Sequence, residues 1–423
     1  MAPQPVSAQD RPLTSAATTD RPVWREPDFI KVWAGGVVGS LGSSITRLAV
    51  PLIAILQLGA GPAEMGTLGA SGTAAFIVVG LVAGVIADRL PRRLVMVATA
   101  FGSAAALATI PIASGAGALR IEQLYAVAFL TGCFGVVGEV AFQSFLPRLV
   151  GRERLLAGNA AIRSTGSVTE VVGPSVAGFL IQLLTAPVAI VFDVIATVVS
   201  GVFTMFVRVQ EPAAPARVSG RRVWHDVAEG LRYVVSDPVL RAIAAEGATH
   251  NICSNGAFVA LYVLFANQVL GLGPIELGIV FAAGGPGALI GSVFAARYGR
   301  RVGMRHALVR MQILTGVARS LVPLAVLVPA PMIALAAGEL LLGIARAVLN
   351  VNQLSLRQAM TPDHLQGRMS ASIRFLMWSV VPVGALLGGF AAERIGLIPT
   401  MTFAAVGTTA AALWILTMPK DAA

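Results

Sequence analysis

The sequence alternates blocks of about 20 consecutive apolar residues with short polar connections, and every second connection carries a cluster of arginines. A block of that length spans a ~30 Å hydrocarbon core as a helix, and a helix satisfies its own backbone hydrogen bonds there. The pattern therefore confines the chain to a bundle of membrane-crossing helices. Composition agrees: 56% of the 423 residues are hydrophobic and 12% are charged, with a mean hydropathy of +0.78, whereas soluble domains carry about 25% charged residues.

Blocks begin near Lys31, Ala63, Leu94, Ile121, Ala160 and Pro187, and then near Val239, Pro274, Arg305, Pro331, Ser370 and Leu397. The fold class expected is an all-α integral membrane protein of about twelve transmembrane helices. Six belong to residues 31–207 and six to 239–418, joined by a cytoplasmic linker at 208–238. Within that linker, Val223, Val227, Leu231 and Val234 lie near one face of an expected amphipathic helix. Residues 1–30 hold Pro, Ser, Thr and charge without the apolar core of a cleavable leader and read as a disordered cytoplasmic tail; residues 419–423 read as a second tail.

The arginines set the orientation. Arg89, Arg92 and Arg93 follow the second block, Arg148, Arg152 and Arg154 the fourth, and Arg208, Arg217, Arg221 and Arg222 the sixth. Arg297, Arg300, Arg301 and Arg305 follow the eighth, and Arg357 and Arg368 the tenth. The other connections offer only Arg120 and Arg394. Basic residues stay on the cytoplasmic side, so both termini are expected there, in a multi-pass protein of a bacterial-type plasma membrane. The same rule accounts for the net charge of +10 without nucleic acid as a partner. Cys133 and Cys253 fall inside apolar blocks, where a thiol is ordinarily a small hydrophobe.

The two halves echo each other. GVIADRLPRR from Gly84 has a counterpart GSVFAARYGRR from Gly291, and LPRLVGRERLLAGNAAIR ending at Arg163 has LRQAMTPDHLQGRMSASIR ending at Arg374. Repeated halves are a signature of transporters.

At these residues the chain resembles the major facilitator superfamily. Gly84, Asp88, Arg89, Arg92 and Arg93 match that family's loop between helices two and three, with Ile86 and Pro91 as departures. Pro fits a tight turn. The second-half copy has Ala295 in place of the aspartate. GSVTEVVGPSVAG, with Gly166, Gly173, Pro174 and Gly178, resembles the glycine-rich motif of antiporting exporters, with Ala177 replacing one glycine. PRLVGRERLLAGNA, PDHLQGRMSAS and VVPVGALLGG are similar to the branch that contains macrolide-efflux and enterobactin-export proteins. The resemblance implies two six-helix bundles that rock about a central site, and an Asp88 that faces the N-terminus of helix eleven, where unpaired N–H groups present positive charge. Tight helix packing alone accounts equally well for the glycines of the second motif.

Ionisable groups at membrane depth are costly and normally face a partner or an aqueous path. Glu170 and Glu339 fall near mid-membrane, and Arg47 and Asp193 lie toward the outside. Glu139, Arg163, Glu246, His250, Arg346 and Arg374 lie toward the cytoplasm, while Arg310 and Arg319 occupy span nine. Matching depth pairs Glu139 with Arg163, Arg47 with Asp193, and Glu246 with Arg346 or Arg374. A proton carrier needs a proton affinity that changes through the cycle, which selects Glu170, without an obvious partner, ahead of Glu339. His250, beside Asn251, is either a functional group or hydrogen-bonded structure. The arginine that many proton-driven members carry in span four is absent from LYAVAFLTGCFGVVGEV, and Arg163 is the available substitute.

No P-loop, HExxH or paired CxxC occurs, so neither ATP hydrolysis nor a metal or other cofactor is expected. An integral membrane enzyme lacks a visible nucleophile-and-base cluster. The expected function is export of an amphipathic small molecule by proton antiport, from a monomeric protein in a lipid bilayer. Uptake or facilitated diffusion on the same fold, and a transporter-like sensor or lipid-handling protein, are the alternatives. Substrate identity is open.

Overall fold

The computed structural model describes residues 22–209, 229–362 and 365–419, without the side chains of residues 81, 82, 85, 87, 88 and 152. The first half forms α1 (Pro27–Leu56), α2 (Pro62–Arg89), α3 (Arg92–Gly115), α4 (Ile121–Val150), α5 (Leu155–Leu184) and α6 (Ala186–Met205). In the second half, α7 is a continuous helical run of Pro238–His250, a π-helical stretch Asn251–Phe258 and Val259–Gln268. It is followed by α8 (Pro274–Val302), α9 (Met304–Leu327), α10 (Pro331–Met360), α11 (Gln366–Ile395) and α12 (Leu397–Leu416). Ten of these are long and apolar enough to cross a membrane; α2 and the interrupted α7 complete the twelve.

Local sequence explains the boundaries. Proline occupies the first turn of α1, α2, α6, α7, α8 and α10, where its missing N–H has no intrahelical partner to lose. Pro91 makes the two-residue break between α2 and α3, as the turn reading requires. The largest offset from the sequence reading is at α5, which starts at Leu155 rather than near Ala160. Its first turns are polar and project beyond the apolar layer, so hydropathy alone misses them.

Packing repeats between the halves. In the first, α1 packs on α5 and α6, α2 on α4, and α3 on α4 and α6. The second repeats this six helices later: α7 on α11 and α12, α8 on α10, and α9 on α10 and α12. The bundles meet through α2 against α11 and α5 against α8, contacts that exchange under the same repeat.

The core shows how the bundles meet. At the end remote from the arginine-rich connections, one apolar cluster draws from both halves, including Leu52, Met65, Ile181, Phe265, Leu277 and Met401. At the arginine-rich end the clusters are separate: Phe29, Phe145 and Leu149 in the first half, Ile243, Leu308 and Leu356 in the second. The bundles thus share one apolar core at the sealed end and part into separate cores at the other, where a polar contact, Arg374 with Glu139, still links them.

The tail assigned to 1–30 is already helical from Val23, because Trp24 stacks edge-on against Phe29 and Trp33 and Glu26 pairs with Arg154 at 2.9 Å. Most of the expected linker helix, including Val223 and Val227, lies outside the described residues; 229–236 are helical, and Val234 is buried.

Candidate functional site: a cavity and a buried charge network

A cavity of about 670 Å³ opens between α1, α2, α3, α4, α6 and α7. Its wall is mostly apolar, with Met65, Leu68, Leu107, Leu124 and Val127 toward the sealed end and Phe134 farther along. Three charged residues line it: Arg47, Glu139 and Asp193. That volume lies within the ~300–1,000 Å³ range of small-molecule sites.

Asp193 is 2% exposed, and both its oxygens accept hydroxyl hydrogen bonds, one from Thr46 and the other from Thr197 at 3.1 Å. Arg47 donates to Ser44 Oγ at 2.7 Å and stands in electrostatic range of Asp193 and Glu170. The expected Arg47–Asp193 couple is therefore a matter of proximity, since neighbouring hydroxyls take the hydrogen bonds. Glu139 pairs with Arg374 at 3.0 Å, across the bundles, rather than with Arg163, which is exposed on α5. Depth placed Glu139 and Arg163 at one level, but helix rotation points them apart.

The second bundle holds a more polar cavity of about 330 Å³, lined by Glu246, His250, Gln312, Gln353 and Arg357 among others. Glu246 accepts from Gln353 Nε2 at 2.8 Å with Arg357 nearby, so its partners are neither Arg346 nor Arg374. His250 is buried with Nδ1 at 3.2 Å from Gln312 Nε2, an amide that also donates to the Thr408 carbonyl. This is hydrogen-bonded structure.

The π-helical stretch of α7 docks two arginines. Arg319 Nε donates to Ser254 Oγ at 2.9 Å, and its guanidinium lies 4.6 Å over the Phe258 ring. Arg346 Nη1 donates to Asn255 Oδ1 at 3.1 Å. A π turn shifts the side chains after it out of α-helical register, which is a common device at functional sites. Glu339 meets Arg319 at 3.5 Å, and the Tyr262 hydroxyl faces the same carboxylate without good hydrogen-bond geometry. The Arg319–Glu339 pair is signalled in the sequence only by similar depth in neighbouring spans.

Glu170 is exposed on α5, in electrostatic range of Arg47 from its own bundle and Arg346 from the other. Neither arginine is within ion-pair distance of it among the described residues.

The two glycine motifs divide. On α5, a Cβ at Gly173 would strike Ser44 of α1, and one at Gly178 would strike the Pro274 carbonyl of α8, whereas Gly166 faces open space. Pro174 lends its carbonyl to the same approach, 2.6 Å from where a Cβ on Gly278 would stand. In the loop motif Gly84 also faces open space, Arg89 is exposed, and Arg93 donates to the Val207 carbonyl at the end of α6. The expected contact of Asp88 with α11 lies outside the described side chains.

The sealed end carries a contact beyond those expected from the sequence. Glu393 Oε2 of α11 accepts from the Ala63 backbone N–H at 3.1 Å, a carboxylate on the N-terminus of α2. Beside it, a Cβ on Gly66 would stand 2.7 Å from the Gly389 Cα. Its signal in the sequence is a carboxylate near the C-terminal end of span eleven, the counterpart, at the other end of the same helix pair, of Asp88 in span two. No group of three or more His, Cys, Asp or Glu residues that could hold a metal occurs among the described residues.

Two repeated six-helix bundles, sealed at one end over a cavity and parted at the other, define a membrane transporter. Residues 32–382 match the sequence model of the Major Facilitator Superfamily, and the chain belongs to that family. It is 27% identical over 384 residues to the multidrug efflux pump Tap of Mycolicibacterium fortuitum, covering 89% of this chain and 91% of the relative. It is 21% identical over 380 residues to macrolide efflux protein A of Streptococcus pyogenes, covering 87% and 90%. Among solved structures it is similar to a bacterial homologue of the iron transporter ferroportin in an inward-facing state, with TM-score 0.68, 18% identity and coverage of 92% and 97%. It is also similar to a POT family transporter in complex with 5-aminolevulinic acid, with TM-score 0.74, 10% identity and coverage of 93% and 96%.

Proposed function

We propose that the protein exports amphipathic small molecules from the cytoplasm by alternating access, driven by proton antiport through Glu170. Export is supported by the efflux relatives, and an amphipathic cargo by a cavity with an apolar wall and three charged groups. Both termini and the arginine-rich connections lie in the cytoplasm in this reading, so the parted end is the cytoplasmic one.

The observation that carries the proton assignment is that Glu170 lies in electrostatic range of both Arg47 and Arg346, one arginine from each bundle. Rocking of the bundles moves Arg346 relative to Glu170 while Arg47 keeps its place, so the charge that faces Glu170 changes through the cycle. Glu339 is the weaker candidate because its arginine, Arg319, belongs to the same bundle and moves with it. When the cytoplasmic end closes, Asp88 meets the N-terminus of α11, as Glu393 meets that of α2 at the other end.

Glu170→Gln should retain cargo binding and lose proton-driven export by about tenfold or more, since a neutral amide cannot carry the proton. The measurement is efflux of a fluorescent amphiphile from cells lacking their own pumps, with and without a protonophore. Unchanged efflux in the variant removes Glu170 from the proton path, and cargo accumulation in place of clearance reverses the direction.

A further inference from the structure

The contact between Glu139 and Arg374 joins the two bundles: Arg374 lines the second bundle's polar cavity, yet the groups that engage its guanidinium, Glu139 and the Phe76 ring, belong to the first. Arg374 Nη2 donates to Glu139 Oε1 at 3.0 Å, Gln143 Nε2 braces the same oxygen at 2.9 Å, and the Phe76 ring lies 5.6 Å from the guanidinium carbon. A carboxylate beside an aromatic face is a cage for a cation. Glu139 also lines the main cavity, and no described group engages its Oε2. The cavity's other carboxylate, Asp193, is buried with both oxygens taken by threonines. Glu139 is therefore the one a ligand reaches.

The present occupant of this cage is held loosely. The side chains are 42% exposed for Arg374 and 49% for Glu139, and exposed ion pairs contribute little. We propose that Phe76 and Glu139 form a cation site for the protonated amine or guanidinium of an amphipathic monocation, and that Arg374 is a built-in occupant which such a ligand displaces. The proposal rests on the exporter reading and adds the charge class of the cargo. Displacement also has a mechanical consequence. Arg374 sits on α11, so a cargo cation in the cage removes one cross-bundle contact of that helix toward the parted end.

The test uses the purified full-length protein and fluorescence anisotropy with rhodamine 6G, an amphipathic monocation, against fluorescein, an anion of the same ring framework. Arg374→Ala should tighten rhodamine 6G about three- to tenfold, because the carboxylate loses its competitor. Glu139→Gln and Phe76→Leu should weaken it, Glu139→Gln/Arg374→Ala should bind no tighter than Glu139→Gln alone, and Arg374→Lys should resemble the parent. Fluorescein should not follow this order. Unfolding temperatures within a few degrees of the parent identify variants that remain folded. The proposal is overturned if folded Arg374→Ala fails to gain affinity, if its gain survives in the double variant, or if both dyes respond alike. Export assays separate the two readings: binding shifts as stated without dye clearance by cells sink the exporter reading and leave the cage, whereas clearance with unshifted binding sinks the cage alone.

Discussion

Arg319 and Glu339 show what a charge inside this bundle requires. Their side chains are 5% and 13% exposed, and the arginine is held on three sides, by Glu339, Ser254 and the Phe258 ring. Removing one partner of such a pair strands the other charge away from water, at a cost of about 3–5 kcal/mol, whereas replacing both with apolar residues of similar volume is close to neutral. Glu339→Leu should accordingly lower the unfolding temperature of the purified protein, and Arg319→Met combined with Glu339→Leu should recover most of the loss. An equal or larger loss in the double variant would show that Ser254 and Phe258, rather than the carboxylate, hold the arginine. Sequence fixes the depth of such residues because depth is counted along the helix, but it leaves their rotation open. Glu139 and Arg163 share a level without meeting, and Glu246 finds Gln353 rather than an arginine.

At the scale of helices, the membrane makes boundaries legible. Length, apolarity and first-turn prolines locate all twelve spans, and the arginine clusters check their register. The π-helical stretch in α7 was not legible, because the partners of its polar side chains are tertiary: Asn251, Ser254 and Asn255 bond the Met377 carbonyl, Arg319 and Arg346 on other helices. Nor was the sealed end, where Gly66 meets Gly389 and Gly178 meets Gly278, since small residues abound in every span. There the chain backbones touch, and a side chain forces helices apart that must close once per cycle. Gly389→Leu should abolish transport while leaving expression intact, and a thiol probe on the sealed end should report an opened structure. Glu393→Gln removes only charge from the cap on α2, so it should raise the population open at that end by about two- to fivefold. No change in labelling in either variant would mean that the apolar cluster alone keeps this end shut.

For the molecule as a whole, the proposed orientation rests on an asymmetry that no single helix carries. One set of connections holds nearly all the loop arginines and the other holds Arg120 and Arg394, and the same division separates the parted end from the sealed one. Because the repeats are interleaved with that charge pattern, a single misplaced span would invert every later connection, so two reporters suffice to test all of it. Leu90, 50% exposed in the turn between α2 and α3, and Leu327, 76% exposed at the far end of α9, lie at opposite ends. In a variant whose own Cys133 and Cys253 are replaced by alanine, Leu327→Cys should react with a membrane-impermeant maleimide in intact cells. Leu90→Cys should react only after permeabilisation, with a contrast of about tenfold or more, set by the barrier that the hydrocarbon core presents to a charged reagent. The reverse order would place the parted mouth outside the cell. The cavity would then face the medium in this state, an outward-open step of the same alternating cycle, and the direction of net transport would rest on the clearance assay alone.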